Sequence, residues 1–185
     1  ANGGTGSMSN QTASTATALT ANAYTRTGYA FSGWNTAANG SGTSYTNGQS
    51  YPFTANATLY AQWTPNNNTI TFDGNGFTGG STSSQTLATA ATAALNTNGY
   101  TRTGYTFSGW ATTAGGAVAY ADGASYTMGT ANVTLYAQWT LVGSYTVTFN
   151  SNGGSGTMSN QTESTATALT TNSFTRSGYT FTGWN

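Results

Sequence analysis

No cysteine, histidine or lysine occurs anywhere in these 185 residues, and only three arginines and three acidic side chains carry charge. Each absence removes a class of chemistry. Without His, Cys or Lys, the common general bases, thiol nucleophiles and Schiff-base formers are missing. Zinc and iron sites lose their usual ligands, and lysine-based isopeptide cross-links cannot form. The three acids, Asp73, Asp122 and Glu163, stand at unrelated positions, so no paired-carboxylate site is built repeatedly. Asp73-Gly74-Asn75-Gly76 lacks the further acidic ligands of a calcium loop and reads as a turn. No catalytic residue, metal or cofactor is expected, and the chain reads as non-enzymatic.

Charge is scarce as well. Charged residues make up 3% of the chain, against about a quarter in ordinary soluble proteins. Such a surface has no field with which to steer a nucleic acid or an anionic membrane. The composition is not that of a disordered chain either, because 14% of it is aromatic and the net charge is zero. No run is long enough for a membrane-spanning helix. Solubility must come from Thr, Ser, Asn and Gly, and the lack of Cys fits export from a bacterium.

What is present is repetition. Ala1–Asn35 and Ser151–Asn185 agree at 25 of 35 positions, and a more divergent copy lies between them. Trp34, Trp110 and Trp184 are spaced by 76 and 74 residues, as are Arg26, Arg102 and Arg176. A unit of about 75 residues is the size of one small domain rather than a solenoid coil. Three units follow: 1–64, 65–140 and 141–185. The first lacks its opening strand and the third stops after its Gly-Trp pair, so the chain is expected to be a window on a longer protein. A neighbouring molecule donating the missing strand is the alternative. The junctions are short, which predicts a semi-rigid array.

The middle unit can be followed along its length. Thr69-Ile70-Thr71-Phe72, matched by Tyr145-Thr146-Val147-Thr148-Phe149, alternates like a half-buried strand. A Gly/Asn turn follows, then a second strand resembling Met158–Thr162 of the third unit. Ser164–Thr170 mixes Ala and Leu with Thr and is read as one short helix or an irregular crossover. In Arg102–Trp110, Tyr105 and Phe107 share one face, while Trp110 is out of phase unless Gly109 forms a bulge. The unit closes with Leu135-Tyr136-Ala137-Gln138-Trp139, Leu, Ala and Trp inward.

The expected core is therefore Tyr29, Phe31, Trp34, Leu59 and Trp63 in the first unit. In the second it is Ile70, Phe72, Tyr105, Phe107, Trp110, Leu135 and Trp139, and in the third Val147, Phe149, Tyr179, Phe181 and Trp184. The repeated arginine reads as lying over Tyr29, Tyr105 or Tyr179, or capping carbonyls, in preference to clamping a ligand. Tyr60 and Tyr136 point outward as possible surface contacts.

The string T-R-x-G-Y-x-F-x-G-W, then L-Y-A-Q-W-T and V-T-F-N-x-N-G-G, resembles the Listeria–Bacteroides repeat, also called the internalin B-repeat. The resemblance spans the chain three times over. It implies an α+β, strand-dominated β-grasp (ubiquitin-like) domain with a mixed sheet and one short helix or crossover. It also implies tandem modules outside the membrane on bacterial surface proteins, acting as stalk, spacer or adhesive.

The expected function is a structural array at the cell surface or in a secreted fibre. Beads without mutual repulsion can pack against neighbouring repeats or self-associate. The alternative is an adhesive module that binds a glycan or a host surface protein through Tyr60 and Tyr136.

Overall fold

Alternation of apolar residues with threonine decides most of what this chain folds into. In the computed structural model, which describes residues 1–185, every regular element is a strand. The first unit holds β1 (Thr17–Ala18), β2 (Tyr29–Asn35), β3 (Ser44–Tyr45), β4 (Ser50–Tyr51) and β5 (Tyr60–Pro65). The second begins with β6 (Asn67–Asp73), β7 (Gly79–Gly80), β8 (Gln85–Ala88) and β9 (Thr92–Ala94). It continues through β10 (Tyr100–Thr101), β11 (Tyr105–Ala111), β12 (Ser125–Thr127) and β13 (Val133–Leu141). The third holds β14 (Tyr145–Val147) and β15 (Gln161–Glu163).

The middle unit shows the full architecture. Its main sheet has the order β11-β13-β6-β8 and curls into a half-barrel. The two central strands are parallel, with Val133 opposite Ile70 and Leu135 opposite Phe72. Parallel neighbours need a long crossover, which the 59 residues from Gly74 to Asn132 supply. Both outer strands pair antiparallel. On the inner face Ile70, Phe72, Leu95, Trp110, Met128, Leu135 and Ala137 form one buried cluster. Ile70 and Leu135 are fully buried, each contributing about 1.5–3 kcal/mol.

The out-of-phase tryptophan is brought inward by a bulge. The register between β11 and β13 shifts between Phe107 and Gly109, and the same shift falls between Phe31 and Gly33 in β2. Gly109 has φ +139°, and a Cβ on it would stand 2.7 Å from the Tyr120 carbonyl oxygen. The extra residue turns Trp110 into the cluster, where it is fully buried.

The helix expected from Ser164–Thr170 is absent, and with it the α+β, ubiquitin-like class: the chain is all-β. The reason is local. In the middle unit the corresponding stretch becomes β9, which pairs with β12 and joins the Thr92 and Thr127 hydroxyls at 2.8 Å. In the third unit the segment is held open by Gln161, whose side chain donates to Ala168 O and accepts from Thr170 N–H. Threonines that stiffen at χ1 in a helix gain partners in extended chain.

The outer units repeat parts of this plan. β2 and β5 pair as β11 and β13 do, with Phe31 opposite Trp63 and Trp34 opposite Ala61. In the third unit β14 and β15 form an antiparallel pair. No counterpart of β13 covers it, so Val147 is 42% exposed where the equivalent Ile70 is 0%.

Candidate functional site

The repeated arginine is the natural place to look for chemistry, being the only cation in each unit. It opens a tight turn in which the Tyr29 N–H donates to Arg26 O at 3.0 Å. Tyr105 and Arg102 repeat this at 3.0 Å, and Tyr179 and Arg176 at 3.1 Å. The turn folds each guanidinium back over the ring three residues on, with Cζ 3.9, 4.0 and 4.2 Å from the centroids of Tyr29, Tyr105 and Tyr179. The guanidinium also lies near the Asn-Gly turn at the start of the unit. A Cβ built on Gly3 or Gly76 would lie 3.4 Å from the arginine Cζ, and one on Gly153 3.7 Å away. Arg26 and Arg102 are half-buried between ring and turn, whereas Arg176 is exposed and donates to Asn152 O at 3.4 Å; stacking on the ring accounts for the residue without a ligand.

That turn is itself tied down. Asn75, at φ +47°, donates its side-chain N–H groups to Ala114 O and Ala137 O, both at 2.8 Å. Asn2, at φ +51°, does the same to Ala38 O and Ala61 O at 2.8 Å. The indole of Trp139 donates to Gly74 O at 3.0 Å, and that of Trp63 to Ala1 O at 3.0 Å. Asp73, the only acid near this turn, accepts the Asn75 N–H at 2.7 Å. Asp122 likewise accepts the Asn98 N–H at 2.7 Å. Both carboxylates are turn staples, and His, Cys, Asp and Glu gather nowhere into a group of three or more.

A second recurring device escaped the sequence reading. Gln11, Gln85 and Gln161 each use the amide as a false strand. Their Nε2 groups donate to Ala18 O, Ala94 O and Ala168 O at 2.7, 2.8 and 2.9 Å. Their Oε1 atoms accept from the backbone N–H of Thr20, Asn96 and Thr170. The signal was available: a glutamine at one place in every unit, followed by a crossover lacking partners of its own.

The aromatic core residues are placed as follows. Phe72 and Phe107 pack on Trp110 at 4.7 and 5.0 Å, and Phe107 meets Trp139 edge-on at 5.6 Å. In the first unit Phe31 touches Trp34 at 5.1 Å and Trp63 at 5.7 Å. Trp34 is buried, whereas Tyr29, Phe31, Leu59, Trp63, Tyr105, Phe107 and Trp139 are half-buried. In the third unit Phe149 is buried against Trp184 at 4.7 Å, but Tyr179 and Phe181 are 68% and 49% exposed. The indole N–H groups of Trp34 and Trp110 are buried without a hydrogen-bond partner. Tyr60 and Tyr136 are half-buried rather than free platforms.

One phenol is electrostatically distinct. Tyr126 has its pKa raised above 10.0 by burial, with the neighbouring Tyr120 adding to the effect. Of the surface hollows, one of about 410 Å³ lies beside Tyr145, Val147 and Leu169, with Glu163 and Ser164 on its wall, and one of about 200 Å³ lies beside Trp34 and Tyr45. No helix is long and apolar enough to cross a membrane.

Comparison with known proteins agrees with the repeat pattern. The model of the Listeria-Bacteroides repeat domain matches residues 1–62, 69–138 and 145–185. A protein of Evansella cellulosilytica, named a Gly-rich membrane protein, is 41% identical over 133 residues, 68% of this chain and 15% of its own length. Another from that bacterium, named a membrane protein, is 41% identical over 88 residues, 45% of this chain and 13% of its own. The chain therefore spans about one seventh of these relatives. No solved structure gives a significant match.

Proposed function

We propose, from the premise that this chain belongs to the Listeria–Bacteroides repeat family, that it is a non-enzymatic structural array of an extracellular bacterial surface protein. It serves as stalk or fibre building block. The observation that carries the reading is that the first two units turn their recurring polar side chains onto their own chain. Arg, Asn, Gln and the closing Trp hold turns and crossovers instead of facing a pocket. Relatives named membrane proteins support a place at the cell envelope.

Low charge favours side-by-side packing of such beads. Binding of a glycan or a host protein through Tyr60 and Tyr136 is the weaker reading, because both rings are half-buried.

Single-molecule stretching of the intact chain tests the mechanical role. The complete middle unit is expected to give a discrete unfolding event that releases about 250 Å of chain, from about 3.3–3.6 Å per residue over the repeat. Smooth extension without such an event would overturn the reading, as would glycan-array binding abolished by Tyr136→Ala. Light scattering at rising concentration reports lateral assembly separately.

A further inference from the structure

The turn that carries the repeated arginine does a second job, visible only when the three units are compared. Gly28, Gly104 and Gly178 occupy the same place in it, with φ +79°, +78° and +78°. Their surroundings differ. A Cβ on Gly28 would stand 2.7 Å from Thr130 Cγ2 and 2.9 Å from Thr89 Cγ2, both methyls of the following unit. A Cβ on Gly104 would stand 2.7 Å from Ser164 Oγ, again in the following unit. Around Gly178, where the chain holds no following unit, nothing lies within 4 Å.

Backbone hydrogen bonds mark the same contact. Gly28 O accepts the Asn66 N–H at 2.9 Å, and Gly104 O accepts the Val142 N–H at 2.8 Å. Asn66 and Val142 are equivalent residues, 76 positions apart, each at the passage from one unit to the next. Asn66 then accepts from the Thr89 N–H at 2.8 Å, and Thr89 Oγ1 accepts from buried Asn68 at 3.0 Å. The junction is therefore packed and hydrogen-bonded, not a tether.

We propose that the R-x-G turn of each unit is a socket for the unit that follows, a directional docking surface whose partner is a further copy of the repeat. Its floor is the bare glycine Cα, and its plug is the small Thr or Ser side chain just after β8 or β15 of the next unit. In the first junction the loop before the last strand adds a second plug, Thr130. Glycine is required twice over at Gly28 and Gly104, for positive φ and for the space the plug fills. Within residues 1–185 only the first requirement acts at Gly178. The socket fixes how successive beads sit, whatever surface role the array serves.

The shared φ makes Gly178 an internal control. Gly28→Ala, Gly104→Ala and Gly178→Ala, each made in the intact chain, impose the same backbone strain. Amide hydrogen exchange at Asn66 and Val142 reads the two junctions. Gly28→Ala is expected to speed exchange at Asn66 at least tenfold and leave Val142 alone, and Gly104→Ala to do the reverse. Gly178→Ala is expected to change neither. Adding Thr89→Ser and Thr130→Ser to Gly28→Ala removes both methyls, keeps the Thr89 hydroxyl's place, and is expected to restore protection of Asn66. Equal effects of Gly28→Ala and Gly178→Ala on Asn66 would overturn the socket, as would failure of the serine pair to rescue.

Discussion

Arg102 Cζ lies 4.0 Å from the centre of the Tyr105 ring, and a Cβ added to Gly76 would stand 3.4 Å from the same atom. Arg102 is half-buried there, and the attraction between cation and ring is worth about 0.5–2 kcal/mol. Arg102→Met keeps the aliphatic stem and deletes the cation. It is expected to lower the stability of the middle unit by about 1 kcal/mol, read as a lower urea midpoint with unchanged slope. Arg102→Lys is expected to recover only part of this, since an ammonium cannot lie flat between ring and turn. An unchanged midpoint for Arg102→Met would show that the stacking is incidental.

The bulge makes a second test. Gly109 has φ +139°, and an added Cβ would meet Val118 Cγ1 at 2.5 Å and Tyr120 O at 2.7 Å. The Trp110 N–H donates to that same carbonyl at 2.8 Å. Gly109→Ala must give up the backbone conformation or this hydrogen bond, at a cost of about 2–3 kcal/mol. Trp110 then moves toward solvent, so emission should shift to the red as the melting temperature falls. Gly115→Ala, with nothing within 4 Å, should stay within about 0.5 kcal/mol of the parent.

How far the sequence could be read depended on whether a feature has a period. Alternation in Thr69–Phe72 and Leu135–Trp139 located the two central strands, and the phase break at Gly109 told where a bulge would be needed. Ser164–Thr170 misled because helix propensity counts Ala and Leu without knowing what else is on offer. Here Gln161 holds the far end of the segment in extended chain, through Ala168 O and the Thr170 N–H. Amide-to-backbone clasps of this kind leave no periodic trace. The outward reading of Tyr136 was a matter of face alone; the curled sheet half-buries it. Tyr179 and Phe181 differ from Tyr105 and Phe107 in exposure because no strand equivalent to β13 lies beside them.

Asn75 offers the sharpest isosteric change. Its amide donates to Ala114 O and Ala137 O, both at 2.8 Å, joining the opening turn to the last strand across 62 residues. Asn75→Asp replaces the donor with an oxygen facing two carbonyls. Two hydrogen bonds are lost and like partial charges are brought together, so the middle unit should lose about 2–4 kcal/mol. Asn75→Gly removes the bonds without the repulsion, keeps the positive φ and should cost less. Equal denaturation midpoints for Asn75→Asp and Asn75→Gly would refute the repulsion.

Tyr126 is expected to make the stability of the middle unit sensitive to alkali. Burial and the neighbouring Tyr120 raise its pKa above 10.0, so the folded state favours the neutral phenol more than the unfolded chain does. Below about pH 9 the phenol is protonated in both states and its contribution to stability is whole. As pH rises past 10.0, the unfolded chain ionises first, and the contribution is lost up to the higher folded pKa. Urea midpoints are therefore expected to fall as the pH rises through and beyond 10.0. Tyr126→Phe removes the ionisation while keeping the ring that meets Tyr120 edge-on at 5.2 Å. Its midpoint should fall less steeply over that range than the parent's, and parallel curves would place the alkaline sensitivity in other tyrosines.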